Sequence, residues 1–305
     1  VSRGGVVVLA GGTGGAKLAR GMADAAGPDR LAVIANTGDD IEIYGALVSP
    51  DPDLVAFWLA DRIDERGWGL AGDTFAVMDG LRALGSEVWF NLGDGDLAWC
   101  IERSRMLAAG AGPTAALQEL TGRLGIRASV LPMCEQAVRT WVRTSDGWSS
   151  FQEFMIRGRA RGPVTGLEYR GVEAAEPSAR VREALAAAGT IVIGPSNPLA
   201  SIGPILAVPG MREALRDAEA PVVAVSPIVG GEVLKGPTAA FMDHAGLECS
   251  AAGVARWYGG VLDGIVADEE VEELPTLLTD TRMDDPAARR RVAEETLAFA
   301  ATLAP

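Results

Sequence analysis

The apolar run Val6-Val7-Val8-Leu9-Ala10 breaks at Gly11-Gly12-Thr13-Gly14-Gly15-Ala16-Lys17 and gives way to a helical pattern from about Ala16 to Ala25. A continuous apolar run of this kind is a strand buried on both faces. A second one, Leu31-Ala32-Val33-Ile34-Ala35, follows the helix. Strand, tight turn, helix, strand is a right-handed βαβ unit, which commits the chain to a parallel sheet. Val88-Trp89-Phe90, Thr190-Ile191-Val192-Ile193, Pro221-Val222-Val223-Ala224-Val225 and Val261 to Val266 read as further buried strands, separated by helical patterns such as Asp73 to Leu84 and Met211 to Ala218. The expected fold is therefore α/β, a Rossmann-like, doubly wound, mostly parallel sheet.

The rhythm changes between Gly112 and Gly171. There Thr114 to Leu124 has a helical pattern, while Ala137 to Val142, Trp148 to Ile156 and Val164 to Tyr169 look like antiparallel strands. This spacing predicts an inserted α+β cap over 112–171 within a core made of 1–111 and 172–305. The stretch Pro286 to Leu303, with Arg289-Arg290-Arg291 ahead of Glu294-Glu295, predicts a solvated amphipathic helix.

A formal net charge of -14 opposes binding to a nucleic-acid backbone or an anionic bilayer, so any anionic ligand must be held by a local device. Cys100, Cys134 and Cys249 lie far apart and leave one thiol over from any pairing, which fits packing residues in a reduced cytoplasm. No apolar run reaches the ~18 residues of a membrane span, and Val6 to Ala10 is too short for a signal-peptide core. His244 is the only histidine, which argues against histidine triads and multi-histidine zinc sites.

Candidate chemistry gathers at the ends of the expected strands, where open α/β sheets bind ligands. The glycine loop, with Gly12, Thr13 and Gly14, is placed to let backbone N–H groups and a helix N-terminus meet a phosphate. It is neither a Walker A loop nor a GxGxxG fingerprint, because Ala16 and Leu18 break the first pattern and Lys17 the second. Asn36-Thr37-Gly38-Asp39-Asp40 and Ser49-Pro50-Asp51-Pro52-Asp53 bring carboxylates to the same edge, and Asp39 and Asp53 are candidate Mg²⁺ ligands alongside substrate phosphate. Asp51 or Asp53 would equally serve as a helix N-cap. Leu92-Gly93-Asp94-Gly95-Asp96 either lines the site or caps the helix from Leu97. Ser196, Asn197 and Ser201, in a Pro/Gly-fixed loop, offer neutral hydrogen bonds to a phosphate or a base, and Ser226-Pro227-Ile228 repeats the device. Trp58, Trp68, Trp89 and Trp99 either stack on a flat heterocycle or fill core.

Taken in order, the glycine loop, the Asn36 to Asp40 and Ser49 to Asp53 clusters, Asp73-Thr74-Phe75, Leu92-Gly93-Asp94, Phe151-Gln152-Glu153-Phe154, Gly194-Pro195-Ser196-Asn197-Pro198 with Ser201-Ile202-Gly203-Pro204, and Ser226-Pro227-Ile228 resemble the 2-phospho-L-lactate transferase family, also called CofD or FbiA, of coenzyme F-420 biosynthesis. The resemblance implies transfer of a phospholactyl, phosphoenolpyruvyl or related group from a guanosine diphosphate-linked donor to the ribityl hydroxyl of the deazaflavin Fo. GMP would be released with Mg²⁺ assistance, in a homodimer. Carried over residue by residue, Asp39 and Asp53 would be the metal and acceptor-side carboxylates, with catalytic roles. Gly12, Thr13, Gly14, Ser196, Asn197 and Ser201 would hold the guanylate, and Asn36, Asn91 and Asp94 complete the candidate binding set. The family commonly shows a basic residue before Leu-Gly-Asp and another inside the acidic turn, where this chain has Asn91 and Gly95. The alternative is a non-catalytic nucleotide or nucleotide-sugar-binding regulator resembling the YvcK-like gluconeogenesis factors. The Gly-Gly-Ser-Ser-Gly run typical of that group is absent, since Ile41-Glu42-Ile43-Tyr44-Gly45 follows Asp40.

Overall fold

The computed structural model describes residues 4–233 and 236–304. β1 (Gly5–Ala10) is followed by α1 (Gly12–Ala26) and β2 (Leu31–Ala35), the βαβ unit expected from the apolar runs. A long excursion then carries the hairpin β3 (Ile41–Ile43) and β4 (Ala46–Val48), then α2 (Pro50–Leu59), α3 (Ala76–Ala83), α4 (Asp94–Ala108) and α5 (Pro113–Arg123), before the chain returns as β5 (Ser129–Pro132). β6 (Arg139–Thr144), β7 (Gly147–Ser150) and β8 (Gly166–Arg170) form a separate three-stranded sheet with both pairings antiparallel. α6 (Ala179–Ala186) leads into β9 (Ala188–Ile193), and a π-helical turn, Pro198–Ile202, runs into α7 (Gly203–Ala207) and α8 (Met211–Arg216). β10 (Val222–Val225), the small hairpin β11 (Ile228–Val229) and β12 (Glu232–Val233), α9 (Thr238–His244), α10 (Ala251–Tyr258), β13 (Gly264–Ala267), β14 (Thr276–Leu278) and α11 (Pro286–Leu303) complete the chain.

The main sheet has the order β14-β13-β10-β9-β1-β2-β5, and every pairing in it is parallel. The chain first winds outward from β1 through β2 to β5, then restarts on the other side of β1 with β9. That reversal is the topological switch point of a doubly wound sheet, and it opens a crevice beyond the C-terminal ends of β1 and β9. Side chains alternate across β1. Val6 and Val8 join the core under α1 and α11, while Val7 and Leu9 join the core on the opposite face with α6, α8 and α10.

Four sequence expectations are corrected. Trp148 to Ile156 is strand only as far as Ser150, because the chain turns helical over 151–157. Val88-Trp89-Phe90 is not a strand; Phe90 instead packs with Ala46, Val48, Met78, Leu92, Leu97 and Cys100 in a satellite core beneath α3 and α4. The segment 112–171 is not wholly separate from the main sheet, because β5 pairs with β2, so the antiparallel departure begins only after Pro132. The glycine motif is not a loop ahead of the helix, since α1 starts at Gly12 and Thr13 and Gly14 lie in its first turn. α11 keeps one face in solvent, with Arg290 and Arg291 paired to Glu294 and Glu295, and buries Val292, Ala293, Thr296 and Ala300.

Gly14 is required by close approach. A Cβ there would stand 2.0 Å from the Pro195 carbonyl oxygen, so the first turn of α1 lies directly on the turn after β9. Overpacking of a seam normally costs about 1–3 kcal/mol. Gly14→Ala should therefore lower the unfolding free energy measured in urea by an amount in that range, and an unchanged value would show that the two turns separate freely.

Candidate active site

Three chain segments converge on the crevice between β1 and β9. The start of α1 supplies backbone N–H groups, the end of β2 supplies Asn36 to Asp40, and the turn after β9 supplies Ser196 to Ser201. Asp51, in the first turn of α2, joins them. Its Oδ1 accepts the Gly12 N–H at 2.7 Å, and its Oδ2 accepts the Asn36 amide at 2.9 Å. Asn36 Oδ1 in turn accepts the Gly38 N–H at 2.7 Å, and Ser196 Oγ accepts the Gly11 N–H at 3.2 Å. Asn197 Oδ1 caps the π-helical turn by accepting from Leu199 and Ala200, which leaves its Nδ2 buried without a partner.

One cavity of about 870 Å³ runs outward from this junction. Gly12, Thr13, Gly14, Lys17, Ser196, Asn197 and Ser201 line it where the first turn of α1 meets the turn after β9, and Phe57, Trp68, Trp89 and Phe90 also contribute to its wall. Asp39, Asp51, Asp53 and Asp96 also line it. Trp68 is roofed by the Arg66 guanidinium at 4.3 Å from its ring. Trp58 and Trp99, by contrast, serve packing. Trp58 lies under Arg289, and Trp99 meets Phe57 edge-on while donating to Asp53.

Asp284 lines the cavity from an exposed position, and the four buried aspartates differ in what their carboxylates do. Asp53 is committed, since its Oδ1 accepts from Trp99 Nε1 at 2.7 Å and is ion-paired to the buried Arg103 guanidinium. Asp39 Oδ1 is buried with no partner. Burial first, and then the neighbouring Asp51 carboxylate, push Asp39 well above the usual carboxylate range. Burial also raises Asp51 to about 6, against the hydrogen bonds from Asn36 and Gly12. Beside them Asp40, bonded to Ser49 Oγ at 2.6 Å, is raised to about 7 by burial, opposed by Arg139. Asp96 is raised to about 7 by burial and by Asp53 and Asp73.

Of the residues expected from sequence, Gly12, Thr13, Gly14, Asp39, Asp53, Asn91, Ser196, Asn197 and Ser201 all line this cavity. Asn36 and Asp94 are not among its lining residues. Asn36 is fully buried and holds Asp51 and the Gly38 backbone, while Asp94 caps α3 by accepting from Thr74 Oγ1 and from the N–H groups of Ala76 and Val77. Asn91 Oδ1 accepts from Arg82 at 2.8 Å, so a guanidinium stands behind the neutral side chain. Two residues were not singled out as ligands from sequence. Asp51 stands two residues from Asp53 in a segment where either fits an N-cap, and Asp96 shares its acidic turn with Asp94.

Asp39 fits a divalent cation: an unpaired, buried carboxylate oxygen beside the carboxylate of Asp51 is a hard-oxygen donor set. Asp53 fits less well, because its Oδ1 already meets a guanidinium. Among the described residues no group of three or more His, Cys, Asp or Glu is arranged to hold a metal ion, so a cation here would complete its shell with ligand phosphate and water, the usual habit of Mg²⁺. Among the described residues no helix is long and apolar enough to cross a membrane.

Residues 6–296 match the family model described as 2-phospho-L-lactate transferase CofD. The chain is similar to a 2-phospho-L-lactate transferase of Methanosarcina mazei, 41% identical over 87% of each chain. It is also similar to a phosphoenolpyruvate transferase of Streptomyces griseus, 42% identical over 95% of this chain and 97% of the relative. In three dimensions it resembles a solved UPF0052-family protein of Bacillus halodurans at a TM-score of 0.57, with 19% identity over 92% of this chain and 89% of that one, a likeness of fold.

Two predictions follow from the carboxylates. Asp39, Asp40, Asp51 and Asp96 all titrate higher in the folded chain than in an unfolded one. The favourable contribution of Asp40, Asp51 and Asp96 is complete below about pH 4 and is lost as the pH rises through about 6 to 7, and Asp39 acts in the same direction. The thermal midpoint of the ligand-free protein should fall between about pH 5 and about pH 8 from these groups, and Asp40→Asn should flatten the slope; an unaltered slope in that variant would contradict the burial assigned to Asp40. Separately, Arg103→Met leaves Asp53 buried and unpaired, which should cost about 3–5 kcal/mol in chemical denaturation. Arg103→Met combined with Asp53→Asn should recover part of that loss.

Proposed function

Because the chain belongs to the CofD family of 2-phospho-L-lactate transferases, we propose that it moves a phospholactyl or phosphoenolpyruvyl group from a guanosine diphosphate-linked donor to the ribityl hydroxyl of the deazaflavin Fo, releasing GMP in the cytoplasm. The observation that carries this reading is the single cavity with two unlike surfaces. Small residues, a helix N-terminus and an unpaired amide donor suit a nucleotide phosphate at one, and aromatic rings suit a flat heterocycle at the other. The reading also includes a homodimer.

The protein's part in such a transfer is alignment. The first-turn N–H groups of α1, with Ser196, Asn197 and Ser201, hold the guanylate by short-range hydrogen bonds, as a chain of net charge -14 must. Asp53, fixed by Arg103 and Trp99, presents a rigid carboxylate toward the acceptor. Asp39, with Asp51 behind it, would hold Mg²⁺. The chemistry a bound Mg²⁺ supplies is neutralisation of the diphosphate charge in a cavity otherwise rich in carboxylates. Trp68 and Trp89 shield the reacting centre from water, which favours transfer to the hydroxyl over hydrolysis.

Purified protein incubated with Fo, Mg²⁺ and each synthetic donor should release GMP and yield a phosphodiester product visible by mass spectrometry. Lactyl and enolpyruvyl donors head the panel because the relatives' names divide between them. Chelation of the metal should stop GMP release, and Asp39→Asn should lower turnover by about 100-fold or more, the scale of losing an electrostatic stabiliser. Nucleotide binding without product from any donor would overturn the reading.

A further inference from the structure

Asp94 and Asp96 stand two residues apart in the first turn of α4, and the fold treats them oppositely. Asp94 spends its carboxylate on Thr74, Ala76 and Val77, which holds it below the usual carboxylate range. The N-terminus of α4 is capped from outside by Asp73, whose two oxygens accept from Gly95 at 2.8 Å and Asp96 at 3.0 Å. The Asp96 side chain is therefore not needed as a cap. It is only 7% exposed, it lines the cavity, and its Oδ1 is buried without a partner. Its Oδ2 lies against the Gly69 backbone, where a Cβ would come within 3.0 Å. Gly69 adjoins Trp68, so Asp96 sits by the aromatic wall, within electrostatic reach of Asp53.

We propose that Asp96 is a catalytic residue, the carboxylate that accepts the proton of the acceptor hydroxyl in the transfer; this rests on the function proposed above. Asp53 is less suited to that task because its Oδ1 already receives Trp99 and Arg103. Asp39 is the oxygen donor that suits a cation. Asp96 combines a place on the cavity wall with a buried carboxylate oxygen that no protein group completes. In the step, the hydroxyl oxygen bonds to the donor phosphorus distal to guanosine. The anhydride bond from that phosphorus to the GMP phosphate breaks, GMP leaves with the electron pair, and the proton passes to Asp96, then to solvent.

An unpaired, desolvated carboxylate near two others is a liability for folding, which gives the test two readouts of opposite sign. Asp96→Asn keeps the shape and removes the charge. Its thermal midpoint near neutral pH should rise while kcat falls by about 10²- to 10⁴-fold, the range for loss of general-base catalysis. KM for Fo should stay within about threefold and GDP affinity by calorimetry should be unchanged, whereas Asp96→Glu should regain part of kcat. Asp96→Ser serves in place of the Asn variant if the latter loses GDP affinity. A kcat within about threefold of wild type, or a defect confined to KM, overturns the assignment of Asp96 alone. A wild type that binds GDP and forms no product with Fo overturns the transferase reading and this assignment with it.

Discussion

The Asp51 carboxylate ties together the start of α1, the end of β2 and the first turn of α2, and the site depends on that junction. The Gly12 N–H and the Asn36 amide converge on its two oxygens. Both partners lie just beyond strand ends of the switch point, where a parallel sheet leaves backbone groups unpaired and in need of partners. Asn36 hands the constraint onward to Gly38, and so fixes the backbone that carries Asp39 and Asp40. An anion at the N-terminus of α1 is also what that helix's dipole favours. The device that builds the crevice thus occupies one of its donors, and an incoming phosphate must share the helix end with Asp51.

The acidic lining has a consequence for what the crevice can hold. Four buried aspartates and the exposed Asp284 line the cavity, and two more acids, Asp40 and Asp73, stand close behind. The pairings divide them. Asp53 is neutralised by Arg103, and Asp73 is spent on the α4 cap. Asp39 and Asp96 keep a buried oxygen that folding does not use. Buried groups left unpaired cost free energy that local packing does not return. Such groups can be completed by a ligand, a cation or a transferred proton, which is the ground for proposing the cation at Asp39 and the proton transfer at Asp96.

Much of this was legible in the sequence. The central strands β1, β2, β9 and β10 announce themselves by apolar runs that end in glycine, asparagine or serine, because a strand covered on both faces has no polar alternation. The apolar triplet Val88-Trp89-Phe90 carries the same composition and yet packs under α3 and α4, since three residues do not distinguish a sheet strand from a satellite core. β5 went unseen because Ser129 to Pro132 is short and follows a helix inside a region of changed rhythm. The carboxylates show the sharper limit. Asp51 and Asp53, or Asp94 and Asp96, are equivalent to any reading of spacing. What separates them is whether Gly12, Arg103 or Thr74, residues distant in sequence, reach them first.

The turn after β9 shows how far the surrounding structure dictates ligand chemistry. A π-helical turn leaves carbonyls outside the ordinary helical ladder. Here the Pro198 carbonyl accepts from Trp257 Nε1 at 2.9 Å, and that of Leu199 accepts from the Tyr169 hydroxyl of the antiparallel sheet. With the turn held from both sides, Asn197 must direct its oxygen at the N–H groups of Leu199 and Ala200. The reverse amide orientation would set donor against donor. Its Nδ2 is thereby fixed as a donor beside Ser196 and Ser201 at the cavity wall. Whatever completes that side chain must be an acceptor, which suits a phosphate oxygen or a base carbonyl and rejects an amine. The antiparallel sheet, through Tyr169, thus helps fix the turn that carries Asn197 even though no residue of β8 is among those that line the cavity.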